Sequence, residues 1–155
     1  MYEKGIQGLQ QVAQDAFDEM GLKTWDADRD VSDEFMVGDG KSEALIEVKG
    51  HRKSASKEDI RQLDESIDQY EKKFEKPVKG ILLVNAWCET PVEEREKPQT
   101  QSFPDNVIKR AEAIGAAPVS GVELYNALCA VWEGRSTGKE VFSRLLAGNG
   151  VTKLT

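Results

Sequence analysis

Histidine and cysteine are scarce in this chain, which has one histidine, His51, and two cysteines, Cys88 and Cys129, among 155 residues. The cysteines are far apart and do not form the Cys-x-x-Cys spacing found in many metal sites. We therefore expect two ordinary thiols in a reduced, cytoplasmic setting. The single histidine belongs to a basic segment, so we interpret it as part of that segment rather than as a general base.

Long apolar runs are missing as well. No stretch approaches the roughly 20 apolar residues of a membrane-spanning helix, and Met1-Tyr2-Glu3-Lys4 does not open an apolar signal-peptide region. A hydrophobic content of 39% and a charged content of 32% are typical of a soluble globular protein, so we expect no membrane partner. With no internal repeat, the length predicts one domain over residues 1–148 and a loosely ordered tail over 149–155.

The chain also lacks an excess of positive charge, because its formal net charge is −7. A protein of this charge is not expected to coat nucleic acid non-specifically, since the phosphate backbone repels it. A nuclease is not excluded, because the charge around a site matters more than the total.

A predicted strand that carries two charges is the most informative stretch of the chain. In segment 44–50, Ala-Leu-Ile-Glu-Val-Lys-Gly, side chains alternate between two faces, so Glu47 and Lys49 project from the same face. A carboxylate and an ammonium are costly to bury in an apolar strand without a partner or a metal. The ordinary alternative is an ion pair on a half-exposed sheet face.

An acidic strand precedes this one and is joined to it by a predicted hairpin. The strand covers 33–37, Asp-Glu-Phe-Met-Val, and the turn covers 38–41, Gly-Asp-Gly-Lys. The hairpin brings an acid of the first strand to Glu47. We choose Asp33 because it opens the apolar run, and Glu34 is the alternative if the register differs by one residue.

These residues suit a metal-ion site. Asp33 and Glu47 would hold a divalent cation through hard oxygen ligands, and the backbone carbonyl of Val48 would be a further ligand. Lys49 would lie beside the attacking water and the scissile phosphate, where its charge stabilises the transition state.

The segment from Lys49 to Lys57 contains no acidic residue and directly follows the charged strand. A phosphate backbone would have to lie there if the site acts on nucleic acid. The predicted nucleic-acid contacts are His51, Arg52, Lys53 and Lys57. A solvated loop is an equally open interpretation.

Helical and strand periodicities fill the rest of the chain. The order is helix, three meandering strands, helix, strand, helix, short strand and closing helices, which predicts an α/β fold with a mixed sheet flanked by helices. The predicted elements are helices at 3–20, 56–74, 106–114, 122–132 and 140–146, and further strands at 22–25, 80–87 and 117–120.

The order of these features resembles the pattern of the PD-(D/E)XK nuclease superfamily. In that pattern an acidic residue opens one strand, a hairpin follows, and the next strand carries an acidic residue-x-Lys, here Glu47-x-Lys49. More narrowly, several stretches look like a bacterial restriction-endonuclease-like domain of largely unknown role. Those stretches are 46–50, 60–63, 79–85, and 91–95 followed by Phe103. The resemblance implies a restriction-endonuclease-like fold and hydrolysis of DNA that depends on Mg²⁺ or Mn²⁺.

The resemblance also implies roles for two glutamines, Gln10 and Gln62. The superfamily's first helix often supplies a glutamate to the metal, and Gln10 takes its place here, where its amide can bind a metal but brings no negative charge to a second metal position. Gln62 lies in the next helix, where several branches have a glutamine that contacts the site. Each is otherwise an ordinary helix-flank or surface residue.

The favoured function is metal-dependent hydrolysis of DNA phosphodiester bonds, with Asp33, Glu47, Lys49 and Gln62 as the catalytic set. A binding module with weak or no catalysis is the first alternative, because Gln10 and the acidic composition favour it. The second is a structural interaction domain with a surface ion pair between Glu47 and Lys49. The chain would act as a homodimer or as a domain of a larger protein.

Overall fold

The computed structural model describes residues 2–27 and 34–155, with side chains from residue 8 onward. These residues form five longer helices, five strands and one short 3₁₀ helix. The helices are α1 Tyr2–Glu19, α2 Lys57–Phe74, α3 Asp105–Ile114, α4 Gly121–Trp132 and α5 Gly138–Ala147, and the 3₁₀ helix is Val92–Glu94. The strands are β1 Lys23–Asp26, β2 Glu34–Gly38, β3 Glu43–Gly50, β4 Lys79–Asn85 and β5 Ala117–Ser120.

The strands form one mixed sheet in the order β1-β2-β3-β4-β5. The first three are antiparallel neighbours, as expected for consecutive hairpins. β4 and β5 run parallel to β3, because α2 and α3 carry the chain back between them. The predicted α/β architecture with a mixed sheet flanked by helices is therefore confirmed. In the part of the chain that the structure describes, we find no helix with the length and apolar character needed to cross a membrane.

The turn between β2 and β3 fixes the register of the candidate site. Asp39 Oδ1 accepts hydrogen bonds from the N–H groups of Lys41 at 2.9 Å and Ser42 at 2.8 Å. The bonds from Ser42 and Lys41 hold the pKa of Asp39 below its usual range, so the carboxylate stays ionised and keeps the turn closed. This turn pairs Gly38 with Glu43 and, four residues further, brings Glu34 opposite Glu47.

Two apolar layers cover the sheet, one on each face. The first contains α1, α4 and α5, and Ala44, Ile46 and Val48 of β3 point into it. The second contains α2 and α3, and Leu45 of β3 points into it. Because β3 alternates, Glu47 shares the face of Leu45 and lies beneath α2. The candidate site is therefore on the α2 side of the sheet.

The segment after Gly148 is packed against the body of the protein. Leu154 is fully buried, and its N–H donates to Glu123 Oε1 at 2.7 Å. The N–H of Thr152 donates to the carbonyl of Pro118 at 3.0 Å. An apolar anchor and hydrogen bonds therefore contact the segment 149–155, for which the sequence predicts a loosely ordered tail.

Candidate functional site

Two buried glutamates face each other across β2 and β3. Glu34 is the Cα partner of Glu47, and the two residues are 2% and 1% exposed. Directly opposed residues on antiparallel strands have Cβ atoms ~4.5–5.5 Å apart, so two carboxylates meet here on the face covered by α2. The hydroxyl of Ser66, on α2, donates to Glu34 Oε1 and fixes the orientation of that carboxylate. The arrangement concentrates carboxyl oxygen atoms at one buried point.

The prediction that Asp33 opposes Glu47 falls on a residue that lies outside the described residues. Glu34, the alternative, occupies the position opposite Glu47. The predicted register of β2 against β3 and the observed one differ by a single residue. A shift of one residue exchanges the two faces of a strand. The described part of the site is therefore built on Glu34 and Glu47.

Lys49 lies on the same face as Glu47, as the alternation of β3 predicts. Its Nζ is 3.5 Å from Glu47 Oε1, and its side chain is 18% exposed while that of Glu47 is 1% exposed. The ammonium thus lies between a buried carboxylate and the solvent, where a bound anion can reach it. This contact agrees both with a charged site and with a purely structural ion pair.

Gln10 reaches the site from α1 but contacts backbone. Its Nε2 donates to the carbonyl oxygen of Glu34 at 3.3 Å, which ties the start of β2 to α1. Its role as a metal ligand stays a prediction. Val48 places its fully buried side chain on the opposite face, and its carbonyl as a ligand also stays a prediction.

A line of polar residues on α2 borders the two glutamates. Glu58, Gln62 and Ser66 are spaced four residues apart and so share one side of the helix. Gln62 Nε2 donates to Glu58 Oε1 at 3.3 Å. The hydrogen bond from Arg61 holds the pKa of Glu58 below its usual range, and attraction to Lys49 adds to this effect against partial desolvation. Gln62 is therefore bonded to Glu58 at the rim of the site rather than packed against the buried carboxylates.

Sequence reasoning missed Ser66 and the contact between Asp59 and His51. The four-residue polar spacing next to the apolar stripe of α2 is the signal that would have found Ser66. The sequence predicts Ser56 as the N-cap before Glu58 and Asp59, but it gives no signal for the contact with His51.

His51 joins the end of β3 to the start of α2. Its Nε2 lies 2.6 Å from Oδ2 of Asp59, which is 4% exposed, and the Ser56 N–H donates to the same oxygen at 2.8 Å. Burial would raise the pKa of Asp59, but the bonds from His51 and Ser56 outweigh it and lower the pKa below its ordinary 3.8. The ring that we predicted to contact nucleic acid is therefore already engaged with a carboxylate.

Acid should weaken the protein through Asp59. Since its folded pKa is lower than its unfolded pKa, its contribution to stability is present above the unfolded pKa and is lost as pH falls through the folded pKa, below about 3.8. We expect Asp59→Asn to cost about 1–3 kcal/mol of unfolding free energy at pH 7 and progressively less below pH 4. Denaturant unfolding over pH 3–7 measures this.

The control for that prediction is Asp105→Asn. Asp105 lies in the first turn of α3, but α3 has no side-chain cap hydrogen bond. An equal loss in both variants, or a cost for Asp59→Asn that does not change with pH, would contradict the assigned role.

The basic loop that follows β3 is held by its backbone, while its cationic ends stay at the surface. The N–H of Trp87 donates to the carbonyl of Lys53 at 3.0 Å, and that of Ala55 donates to Ser102 at 2.8 Å. Arg52 Nε lies 3.2 Å from Glu89 Oε1, and both side chains are more than 60% exposed. Lys53 and Lys57 are exposed as well. Backbone hydrogen bonds therefore hold this loop, and its cationic side chains extend to the surface. Glu89 partly neutralises one of them, Arg52.

The resemblance implies a divalent ion, and the donor set at the site can be compared with what such an ion needs. Among residues 2–27 and 34–155, no three histidine, cysteine or acidic side chains come together in a way that could hold a metal. Glu34 and Glu47 supply two carboxylates, and Mg²⁺ often takes one or two carboxylates, several waters and substrate phosphates rather than a complete protein cage. The type of donor agrees with Mg²⁺ or Mn²⁺, and binding of such an ion by Glu34 and Glu47, which are almost fully buried, stays a prediction.

Comparisons with known proteins add no family assignment. No family model, no curated protein and no solved structure matches the chain. We therefore infer function from the geometry of Glu34, Glu47 and Lys49.

Proposed function

We propose that the protein hydrolyses phosphodiester bonds of DNA in a reaction that depends on a divalent metal ion. The observation that carries the proposal is the register of β2 and β3, which opposes Glu34 and Glu47 on one buried face with Lys49 3.5 Å from Glu47. Mg²⁺ or Mn²⁺ bound by these carboxylates would polarise the phosphoryl oxygen and neutralise part of its charge.

The side chains of this protein have the other roles in the proposed reaction. Lys49 directs its ammonium to the charge that develops on the phosphoryl group, and it orients the attacking water. Ser66 holds Glu34 in one orientation through its hydroxyl hydrogen bond. The burial of both glutamates strengthens these electrostatic interactions, because less water screens them.

The path of the chain supports a restriction-endonuclease-like arrangement. The hairpin of β2 and β3 is followed by α2 and by the parallel strand β4, so Lys49 lies near the carboxyl ends of β3 and β4. Ligands of α/β sheets bind outside these ends. The exposed cations at 52, 53 and 57 follow directly in the chain, where they could contact a phosphate backbone.

A binding module without catalysis is the second candidate, favoured by one observation. Gln10 contacts the backbone of Glu34 instead of adding a carboxylate to the site. Such a module would bind nucleic acid or a protein partner through the same surface.

A cleavage panel separates these functions. Wild type is incubated with single-stranded, double-stranded and branched DNA in Mg²⁺, in Mn²⁺ and in chelator. The nuclease proposal expects cleavage of at least one form that stops in chelator. Binding of DNA without cleavage in either metal would support the module, and neither binding nor cleavage would reject both.

Neutralising Arg52 and Lys53 together should weaken DNA binding and its salt dependence. Every phosphate of duplex DNA that a cation no longer neutralises lowers the log–log salt slope by about 0.9, so up to about 1.8 is expected for the double variant. The measurement is fluorescence anisotropy of labelled duplex over a salt series. Glutamine at both positions leaves the loop backbone in place, since the Trp87-to-Lys53 hydrogen bond uses a carbonyl.

The matched control replaces Lys72 and Lys73, in the last turn of α2, by glutamine. It makes the same charge change at the opposite end of the helix and should leave the slope unchanged. Equal slopes in wild type and in the Arg52/Lys53 variant would show that DNA lies elsewhere.

A further inference from the structure

An apolar groove lies on the face of the sheet opposite Glu34 and Glu47. It has a volume of about 340 Å³ and runs between α1 and α4, with β4 at its base. Its apolar walls include Leu9, Val12 and Ala16 of α1, and Val122, Tyr125 and Leu128 of α4. Val12 and Tyr125 are more than 60% exposed, so apolar surface is open to solvent along the rim. The volume lies within the ~300–1,000 Å³ of small-molecule sites.

Among the residues whose side chains the structure describes, Arg95 is the cation that lines this apolar groove. Arg95 Nε donates to the carbonyl of Thr90 at 2.8 Å, and Nη1 donates to Asn85 Oδ1 at 3.2 Å. These acceptors are neutral, so they fix the guanidinium and leave its charge in place. Nη2 also donates to the carbonyl of Cys88, at 3.5 Å. A guanidinium has five N–H donors, so two remain for a ligand beyond these three bonds.

Acidic neighbours restrict which anion can bind. Glu96 and Glu123 line an adjoining cavity that also contains Arg95. Glu96 accepts a hydrogen bond from the Ser102 hydroxyl, and Glu123 accepts one from the backbone of the C-terminal segment. Lys153 also lines this cavity, so its two carboxylates offset its two cations, and a dianion such as a phosphate monoester gains little attraction beyond that of a monoanion.

We infer that this groove binds a small amphipathic carboxylate, with its carboxylate on Arg95 and its hydrocarbon chain between α1 and α4. The apolar walls remove the chain from water. The fixed guanidinium matches a carboxylate by paired N–H···O bonds. This site is separate from the proposed nuclease site and does not depend on it.

Octanoate is the probe, with 1-octanol and octyltrimethylammonium as matched neutral and cationic ligands. Methyl ¹H–¹³C spectra of the full chain locate binding through the leucine and valine methyls of the groove. We expect octanoate to shift these methyls and to bind at least tenfold more tightly than 1-octanol. Equal affinities for the three ligands, shifts scattered over the surface, or no shifts would overturn the inference.

Variants separate the charge from the groove. Arg95→Gln should remove the preference for octanoate while 1-octanol still shifts the groove methyls, which also shows that the groove remains folded. Val12→Asp places an acid on the exposed rim and should weaken octanoate at least tenfold. Trp132→Ser is the control, because Trp132 is an equally exposed residue of α4 that does not line the groove. A larger loss in Trp132→Ser than in Val12→Asp would contradict the site.

Discussion

Replacing Lys49 by alanine is expected to lower the single-turnover rate of DNA cleavage by a factor of about one hundred to one thousand. The ammonium lies 3.5 Å from Glu47, and in the proposed reaction it would face the charge that develops in the transition state. The affinity for DNA should change much less, because Arg52, Lys53 and Lys57 remain. Quenched-flow cleavage, beside anisotropy binding and thermal melting, measures the three quantities separately.

Two further variants define what Lys49 contributes. Lys49→Arg should also be slow, because the guanidinium is larger and presents its donors as a planar fork. Lys57→Ala, at the exposed start of α2, removes the same charge and should affect binding rather than rate. A Lys49→Ala protein that cleaves as fast as wild type but melts at a lower temperature would indicate a structural ion pair.

Removing either buried glutamate should weaken metal binding. Loss of residues that only support metal ligands commonly costs 10- to 100-fold in affinity, so Glu34→Gln and Glu47→Gln are expected to lose at least that much for Mn²⁺. Glutamine keeps the shape of the side chain, and in Glu34→Gln the amide oxygen would still accept the hydrogen bond from Ser66. Without metal, Glu34→Gln should be as stable as wild type or more stable, because like charges no longer oppose each other. Calorimetric titration with Mn²⁺ and denaturant unfolding measure both effects.

Glu43→Gln is the matched control for these two variants. Glu43 lies on β3, accepts a hydrogen bond from Tyr70 at 3.0 Å and forms an ion pair with Lys76. Its replacement should alter stability without changing the affinity for Mn²⁺. Equal Mn²⁺ affinity in wild type, Glu34→Gln and Glu47→Gln would show that these glutamates do not form a metal site.

The face shared by Glu47 and Lys49 could be predicted from the sequence, because alternation along a strand is a property of its own backbone. The hairpin could be predicted for the same local reason, since Asp39 and Gly40 meet the demands of a tight turn and Gly40 has φ +91°. Together these two local patterns put an acid opposite Glu47.

Which acid that is depends on the length of the turn, which the sequence alone leaves open. Four residues, 39–42, separate the paired Gly38 and Glu43, and this register puts Glu34 opposite Glu47. Other contacts depend on less local information. The hydrogen bond from Ser66 to Glu34 joins residues 32 positions apart, and Leu154 packs into a core formed by much earlier residues. Periodicity gives the buried side of α2, but it does not say which strand residue lies beneath each helix residue.

The most direct test of the proposed metal-dependent cleavage is a single-turnover assay of one DNA substrate with wild type and Glu47→Gln over a titration of Mg²⁺. We expect the wild-type rate to rise with Mg²⁺ to a plateau and to vanish in chelator, whereas Glu47→Gln stays far below it at every concentration. No Mg²⁺-dependent or Mn²⁺-dependent cleavage by wild type, or equal curves for the two proteins, would contradict it.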